Sequence, residues 1–460
     1  MSAFIALARL ELLQLVRSRT LMLGLALFVV CAAVAAVSGT TSIRGDRAVL
    51  ADRERFLSLQ EQSLRKSHPD EDLGIVVYNL ALPTEHAPNP WTALATGLRD
   101  VFPFSQHMRV LSLVPQQYAS ELGNPLKQLT GSFDYAFVVT FLLPLLVIAL
   151  GYDARSRDEE LGTELLLRSQ PARVSSVLAM RLGLRALVVL ATAVVSFVLA
   201  AVIAGVPLDA RAATWLAIMT VYVLFWTAVV ALVAARGRSS GWSAIAAVGA
   251  WIVLCILAPA TANAVLADDP TQTGIALTIK QREVLNAGWD KPKRDTMEPF
   301  AARHSEWRKL EVPEDRFSWQ WYYANQELSD AAVEPEVQAY RAAMESREAQ
   351  THHLATLLPP LATQRALSHL AGSDLSTRLD YQDSITTYHQ ALKSFLHPFI
   401  FDNQPVSQVP FASIPRHQFK PEAKQPHWSE LTGLTLITLG CLLLALLTTR
   451  RLDRPARTNA

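Results

Sequence analysis

Six separate stretches of this 460-residue sequence run for about twenty residues with almost no ionisable side chain, and that pattern narrows the possible folds more than any other feature. They are Leu21–Ser38, Phe133–Tyr152, Leu184–Ala204, Ala212–Ala235, Trp242–Ala267 and Leu431–Thr449. A bilayer's hydrocarbon core takes about 20 apolar residues as a helix, with a tolerance of roughly 17–25. The ionisable side chains of note within the stretches are Asp134 and Arg185, near span ends, where they are expected to reach the headgroups. Composition agrees: half the residues are hydrophobic and 18% charged, below the roughly 25% usual in a soluble domain. The fold class expected is an all-α polytopic membrane protein with six transmembrane helices. A net charge of +1 with no basic face gives no sign of nucleic-acid binding.

Lys and Arg set the orientation, because short cytoplasmic connections carry them in excess. Arg9, Arg17 and Arg19 precede the first stretch, and Arg155, Arg157, Arg168, Arg173 and Arg181 lie between the second and third. Arg236 and Arg238 separate the fourth and fifth, and Arg450, Arg451, Arg454 and Arg457 follow the sixth. The connection GVPLDAR between the third and fourth offers only Arg211. A multi-pass membrane protein with both termini cytoplasmic is expected. Long loops at 39–132 and 268–430 then lie outside, with a cytoplasmic segment at 153–183 and a tail at 450–460. Residues 1–20 have helical periodicity, with Phe4, Leu7, Leu10, Leu13 and Val16 on one broad face and Arg9, Gln14 and Arg17 elsewhere. That suits a helix lying in the inner interface, in contact with lipid. The first apolar stretch also has the look of a signal peptide core, but the amphipathic lead-in favours a retained anchor.

The long loops are rich in helix formers, as in DRERFLSLQEQSLRK and VEPEVQAYRAAMESREAQ, and show little strand-type alternation. Loops of this length without structure are uncommon, so together they are expected to form a mostly helical extracytoplasmic domain. The turn AGSD, Ala371 to Asp374, reads as a helix stop followed by a new N-cap. Cys31, Cys255 and Cys441 all fall in apolar stretches, so the outer loops have no disulfide framework. His304 and the pair His352-His353 lack metalloprotease spacing, and no metal site is expected. Residues 237–241, GRSSG, fit G-x-S-x-G, but a nucleophile elbow needs a strand-to-helix turn, and here the motif joins two spans. Trp307, Trp319, Trp321, Tyr322 and Tyr323 could line a ligand cleft or rest on the membrane interface, with core packing favoured. No catalytic residue is assigned, and no cofactor is expected to bind directly.

One charged segment, RDEELGTELLLRSQPARVSSVLAMR at 157–181, interrupts the apolar pattern. Asp158 to Ser169 is expected to form a short helix with acids in its first turn, where the helix dipole favours them. Leu161, Leu165 and Leu166 give it an apolar edge, Pro171 breaks it, and Val174, Val177 and Leu178 resume the pattern toward the third span. Spacing alone is equally compatible with an ordinary solvated loop.

The segment resembles the cytoplasmic loop between the second and third spans of ABC-2 type transporter permeases. The match runs through Asp158, Glu160, Gly162, Thr163, the leucines 165–167 and Pro171. It departs at Glu159, usually basic in that family, at Met180-Arg181, where Gly-Lys is common, and in the order Thr-Glu-Leu. Residues 357–395 also look like a helical region of a bacterial subgroup with enlarged outer loops. The resemblance implies a permease subunit in which Asp158, Glu159, Glu160, Gly162, Thr163, Leu165, Leu166 and Pro171 form a coupling segment that docks on a separate ATPase subunit. It also implies a place in the bacterial cytoplasmic (inner) membrane and a homodimer or a second permease subunit, with ATP used by the partner. The chain itself has no G-x-x-x-x-G-K-[ST] phosphate loop. An alternative is an ATPase-driven mechanical or assembly protein acting on an extracytoplasmic partner, and a weaker one is a membrane enzyme.

Overall fold

The computed structural model describes residues 2–67, 72–118, 133–164, 173–236, 239–265, 273–420 and 428–453. Among them the regular structure is helical, apart from one two-residue antiparallel pair, β1 (Leu82–Pro83) with β2 (His107–Met108). Six helices are long and apolar enough to cross a membrane, which makes the chain a multi-pass membrane protein.

The chain opens with α1 (Ser2–Arg17), and Ser18 then caps α2 (Arg19–Ala51), which is span one. This helix runs well past Ser38, its expected end as a span. Nothing stops it there, and the hydroxyls of Thr40 and Thr41 donate back to the carbonyls of Ala36 and Val37. Next come α3 (Arg53–Ser67), α4 (Leu73–Asn79) and α5 (Leu113–Tyr118). Span two is α6 (135–151), followed by the five-residue α7 (Ser156–Glu160). Span three, α8 (Val174–Ala204), starts ahead of its apolar stretch and ends at Gly205, whose φ of +66° suits glycine. Asp209 caps span four, α9 (Ala210–Ala234), and span five is α10 (Ser240–Val265). The large polar segment contributes α11 (Gly274–Ala287), α12 (Lys293–Arg303), α13 (Trp319–Ala332), α14 (Glu334–Ala355), α15 (Pro359–Ala371) and α16 (Leu375–Phe401). Span six is α17 (Trp428–Arg450). The AGSD turn behaves as expected: Gly372 ends α15 at φ +66°, and the Asp374 carboxylate accepts from the Thr377 N–H to open α16.

Span four is the axle of the bundle. It packs against spans two, three and six and against α15, and buries Trp215, Tyr222 and Trp226 completely. Spans two and five each contain one π turn, Val138–Leu142 and Val253–Leu257. In both, a proline follows two residues after the turn, Pro144 and Pro259. Pro144 has no N–H to offer the carbonyl of Thr140 four residues back, and the hydroxyl of Tyr222 donates to that carbonyl at 2.8 Å. The indole N–H of Trp251 donates to the neighbouring carbonyl of Phe141 at 3.1 Å, joining span five to span two.

The two long loops fold into one helical domain. Its core holds Val76 and Val77 from the first loop with Phe300, Trp321, Leu392 and Phe401 from the second. Polar contacts bind the loops as well, Tyr323 to the carbonyl of Gly74 at 3.0 Å and Thr84 to Tyr381 at 2.8 Å. Trp321 and Tyr323 are buried in this core, and Trp307, Trp319 and Tyr322 pack on it, so the aromatic cluster is core.

The domain is seated on the spans by Trp91, which stacks on Trp215 of span four with ring centroids 5.7 Å apart. Asp134 does not reach for a headgroup. It is buried, caps span two through the Phe137 N–H, and accepts from both the N–H and hydroxyl of Thr96. At Gly39, an added Cβ would lie 2.0 Å from the carbonyl oxygen of Ala93, a backbone atom. Gly39→Ala is therefore expected to cost about 1–3 kcal/mol and lower the thermal midpoint in detergent. Gly45→Ala, with nothing within 4 Å, is expected to be neutral or mildly stabilising; tryptophan fluorescence melts of both variants check this.

Candidate functional site

Where span two ends and span three begins, charged groups converge from four elements. Arg185, the second residue of the third apolar stretch, is only 9% exposed and is enclosed by groups of this chain. Its Nε and Nη2 donate to one oxygen of Glu11 on α1 at 3.0 and 2.8 Å. Its Nη1 donates to Asp153 and to the carbonyl of Leu150, both at 2.6 Å. One turn earlier, Arg181 bridges Glu11 at 3.4 Å, Asp158 on α7, and the carbonyl of Ala154 at 3.0 Å. A guanidinium carries five donors in a fixed fork, which is how two arginines hold α1, α7 and two spans together. At the foot of the same bundle end, Asp453 after span six accepts the N–H of Ser175 at 3.0 Å.

Each of the three consecutive acids has a partner in this chain, Asp158 and Glu159 half-buried and Glu160 exposed. Asp158 is bound by Arg181, and Thr163 donates to it at 3.2 Å. Glu159 pairs with Arg155 at 2.5 Å, while Arg155 also holds the carbonyl of Ala235 at the end of span four. Glu160 accepts the N–H of Ser240 at 2.7 Å and its hydroxyl at 2.9 Å, capping span five. The expected helix over Asp158–Ser169 is interrupted by a turn at residues 161–163 and is helical again at Glu164, while residues 165–169 lie outside the described residues. Helix α7 ends at Glu160, and Gly162 in the turn takes φ +70°, a left-handed conformation that glycine tolerates. Leu161 is 66% exposed beside that turn. Leu165, Leu166 and Pro171 lie outside the described residues.

Sequence reasoning did not assign Glu11, Asp153, Arg155, Arg181, Arg185 and Ser240 to this site. Arg185 inside an apolar stretch was the available signal, since such a charge requires a partner. α1 contributes more than its apolar face: Glu11 and Leu15 are buried against the spans, while Leu10, Leu13 and Val16 remain exposed. The G-x-S-x-G serine, Ser239, caps α10 through the Trp242 N–H, a structural use. A cleft of about 450 Å³ lies beside the cluster, lined by Glu11, Gln14, Thr20, Asp153, Arg157 and Ser240 among others. The arrangement braces α7 against the membrane helices.

The helical domain contains one pair suggestive of nucleophilic chemistry, Ser384 and His417, 3.0 Å apart. The backbone N–H of Glu85 donates to Nδ1 of His417, which leaves Nε2 carrying the proton and donating toward Ser384. An imidazole in that tautomer does not act as base for the serine. Among the described residues no group of three or more side chains could hold a metal ion.

Buried imidazoles are expected to make this domain acid-sensitive. Burial holds His389 and His397 down at about 3, with Lys393 adding to the effect, and His86 likewise at about 3 beside Arg99. Burial pushes Asp330 the other way, to about 6. The depressed histidines contribute stability that is present above pH 6.5 and lost as pH falls toward 3. Asp330 opposes this between its unfolded value near 3.8 and about 6, one group against three. The domain is expected to lose tertiary structure below about pH 5, and His389→Gln to flatten the acid limb; near-ultraviolet circular dichroism against pH measures both. At the bundle end, Glu11→Ala is expected to cost about 3 kcal/mol by leaving Arg185 short of a partner. Glu11→Ala combined with Arg185→Met should cost less than the sum of the singles, as read from unfolding in detergent.

Residues 275–420, from α11 to the end of the helical domain, match the family model described as a domain of unknown function (DUF3526). No curated protein matches the chain.

Proposed function

We propose that this chain is the membrane-spanning permease subunit of an ATP-driven transporter, working with a separate ATPase subunit in an inner membrane. The observation that carries the reading is the brace around α7. A lever that passes force to membrane helices must be rigid and fixed to several of them. Through Asp158, Glu159 and Glu160 the segment is tied to span three, to the end of span four and to the start of span five. The resemblance of the same residues to the coupling segment of ABC-2 type permeases supplies the partner's identity. Because each acid already has a partner in this chain, the partner contact falls mainly to the exposed Leu161 and the leucines after it. The exposed apolar residues Leu10, Leu13 and Val16 of α1 support a helix lying in the interface on the same side. The complex would be a homodimer or contain a second permease, with ATP bound by the partner alone.

A second reading, in which the ATPase stroke drives work on an extracytoplasmic partner, draws support from the shared core. Ala362, Ala366, Leu367 and Leu370 of α15 belong to the same apolar cluster as the spans. The helical domain is therefore packed to feel span movement.

The docking claim is tested by co-purification of the chain with the ATPase it captures. Leu161→Asp removes an exposed side chain without touching the brace, and is expected to weaken association at least about tenfold, roughly 1.4 kcal/mol. Association and ATPase stimulation equal to wild type in that variant would remove the claim. Orientation is tested with Ala342→Cys on α14 in a background lacking Cys31, Cys255 and Cys441. A membrane-impermeant thiol reagent is expected to label it from outside intact inverted-free spheroplasts; labelling only after lysis would reverse the topology.

A further inference from the structure

Glu430, at the entrance to span six, has no exposed surface at all. Its Oε1 accepts from Arg365 Nε of α15 at 2.8 Å and bonds His352 Nδ1 of α14 at 2.8 Å. Its Oε2 has no hydrogen-bond partner among the described residues. Arg365 is in turn held by Glu348 of α14 at 2.8 Å, and Ser429 sits 3.0 Å from the other ring nitrogen of His352. Three residues on, Gly433 lets span six lie directly against the end of α14. A Cβ there would be 2.9 Å from the carbonyl oxygen and 3.1 Å from the Cα of Thr356.

A buried carboxylate is a poor device for stability, since a well-packed apolar side chain of the same volume often does as well or better. What it does supply is one register. A slide of span six past α14 separates Glu430 from His352, a slide past α15 separates it from Arg365, and a slide past the pair leaves a charge unpaired in an apolar setting. The contact at Gly433 adds a steric stop, because backbone meets backbone there. On its other sides α15 packs against spans two, four and five, so it cannot shift independently of the bundle.

From this geometry we propose that Glu430 is a positioning residue, the joint through which the helical domain follows span six. The joint transmits movement whatever drives the spans, and the inference does not rest on the transporter reading. Its test therefore uses the lipid as the driver. Full-length chain is placed in nanodiscs of short-chain or long-chain phosphatidylcholine, because a change in bilayer thickness alters helix tilt. Hydrogen exchange is then read at residues 345–371, covering the end of α14 and α15, with residues 381–396 inside α16 as the folding control. Wild type is expected to differ between the two lipids at 345–371. Glu430→Gln and Arg365→Met are expected to lose that difference with the control region unchanged, while Arg365→Lys, which keeps the charge, retains it. A difference that persists undiminished in Glu430→Gln, or a wild type with no lipid-dependent difference at 345–371, overturns the proposal. If Glu430→Gln disturbs the control region, the comparison of Arg365→Met with Arg365→Lys decides between the same two outcomes.

Discussion

The guanidinium of Arg185 is the point on which one whole end of this protein hangs. A positive charge in an apolar helix is tolerated only when acids and carbonyls come to it. The groups that do so belong to α1, to the end of span two and to Asp153, in the turn just past it. Arg181 repeats the requirement one turn earlier and draws in α7. The fold of this end is therefore set by where two arginines sit on one helix. The apolar contacts around them then fill the space that the charges have fixed.

At the other end the joining chemistry is aromatic and steric. Trp91 on Trp215, Asp134 on Thr96, and the closeness of Gly39 to Ala93 seat the helical domain on the spans. Span four runs through both regions, with Trp215 in the aromatic stack and Ala235, just past its end, accepting from Arg155. A rigid helix buried along most of its length couples what happens at the brace to what happens at the seat. No long-range chain of side-chain rearrangements is needed for that, only movement of span four as a body.

The membrane class was legible in the sequence because apolar length is a one-dimensional property. Local signals were legible too: Gly372 and Asp374 stop one helix and start the next through contacts no more than four residues long. Span ends were less so. Helix α2 continues to Ala51 because polarity alone does not terminate a helix, and α8 starts at Val174 for the same reason. The partners of the charged residues were not legible at all. Glu11 and Arg185 are 174 positions apart, and Arg155 meets a carbonyl 80 positions away. Sequence spacing shows that Asp158, Glu159 and Glu160 are present, while only the packing of the spans shows which groups they meet.

The π turn in span two has a consequence for the brace twenty ångströms or so along the helix, by the usual rise per residue. One extra residue in a turn rotates everything after it by about 100° relative to an uninterrupted α-helix. Leu150 and Asp153 lie after the turn at Val138–Leu142, so their angular phase is set by it. Were the turn regularised by the loss of a single residue, the face carrying both groups would swing away from Arg185. The bulge near one end of the span thus works as a phase adjuster for the ion pairs at the other. A defect in helix geometry is what lets the charges meet.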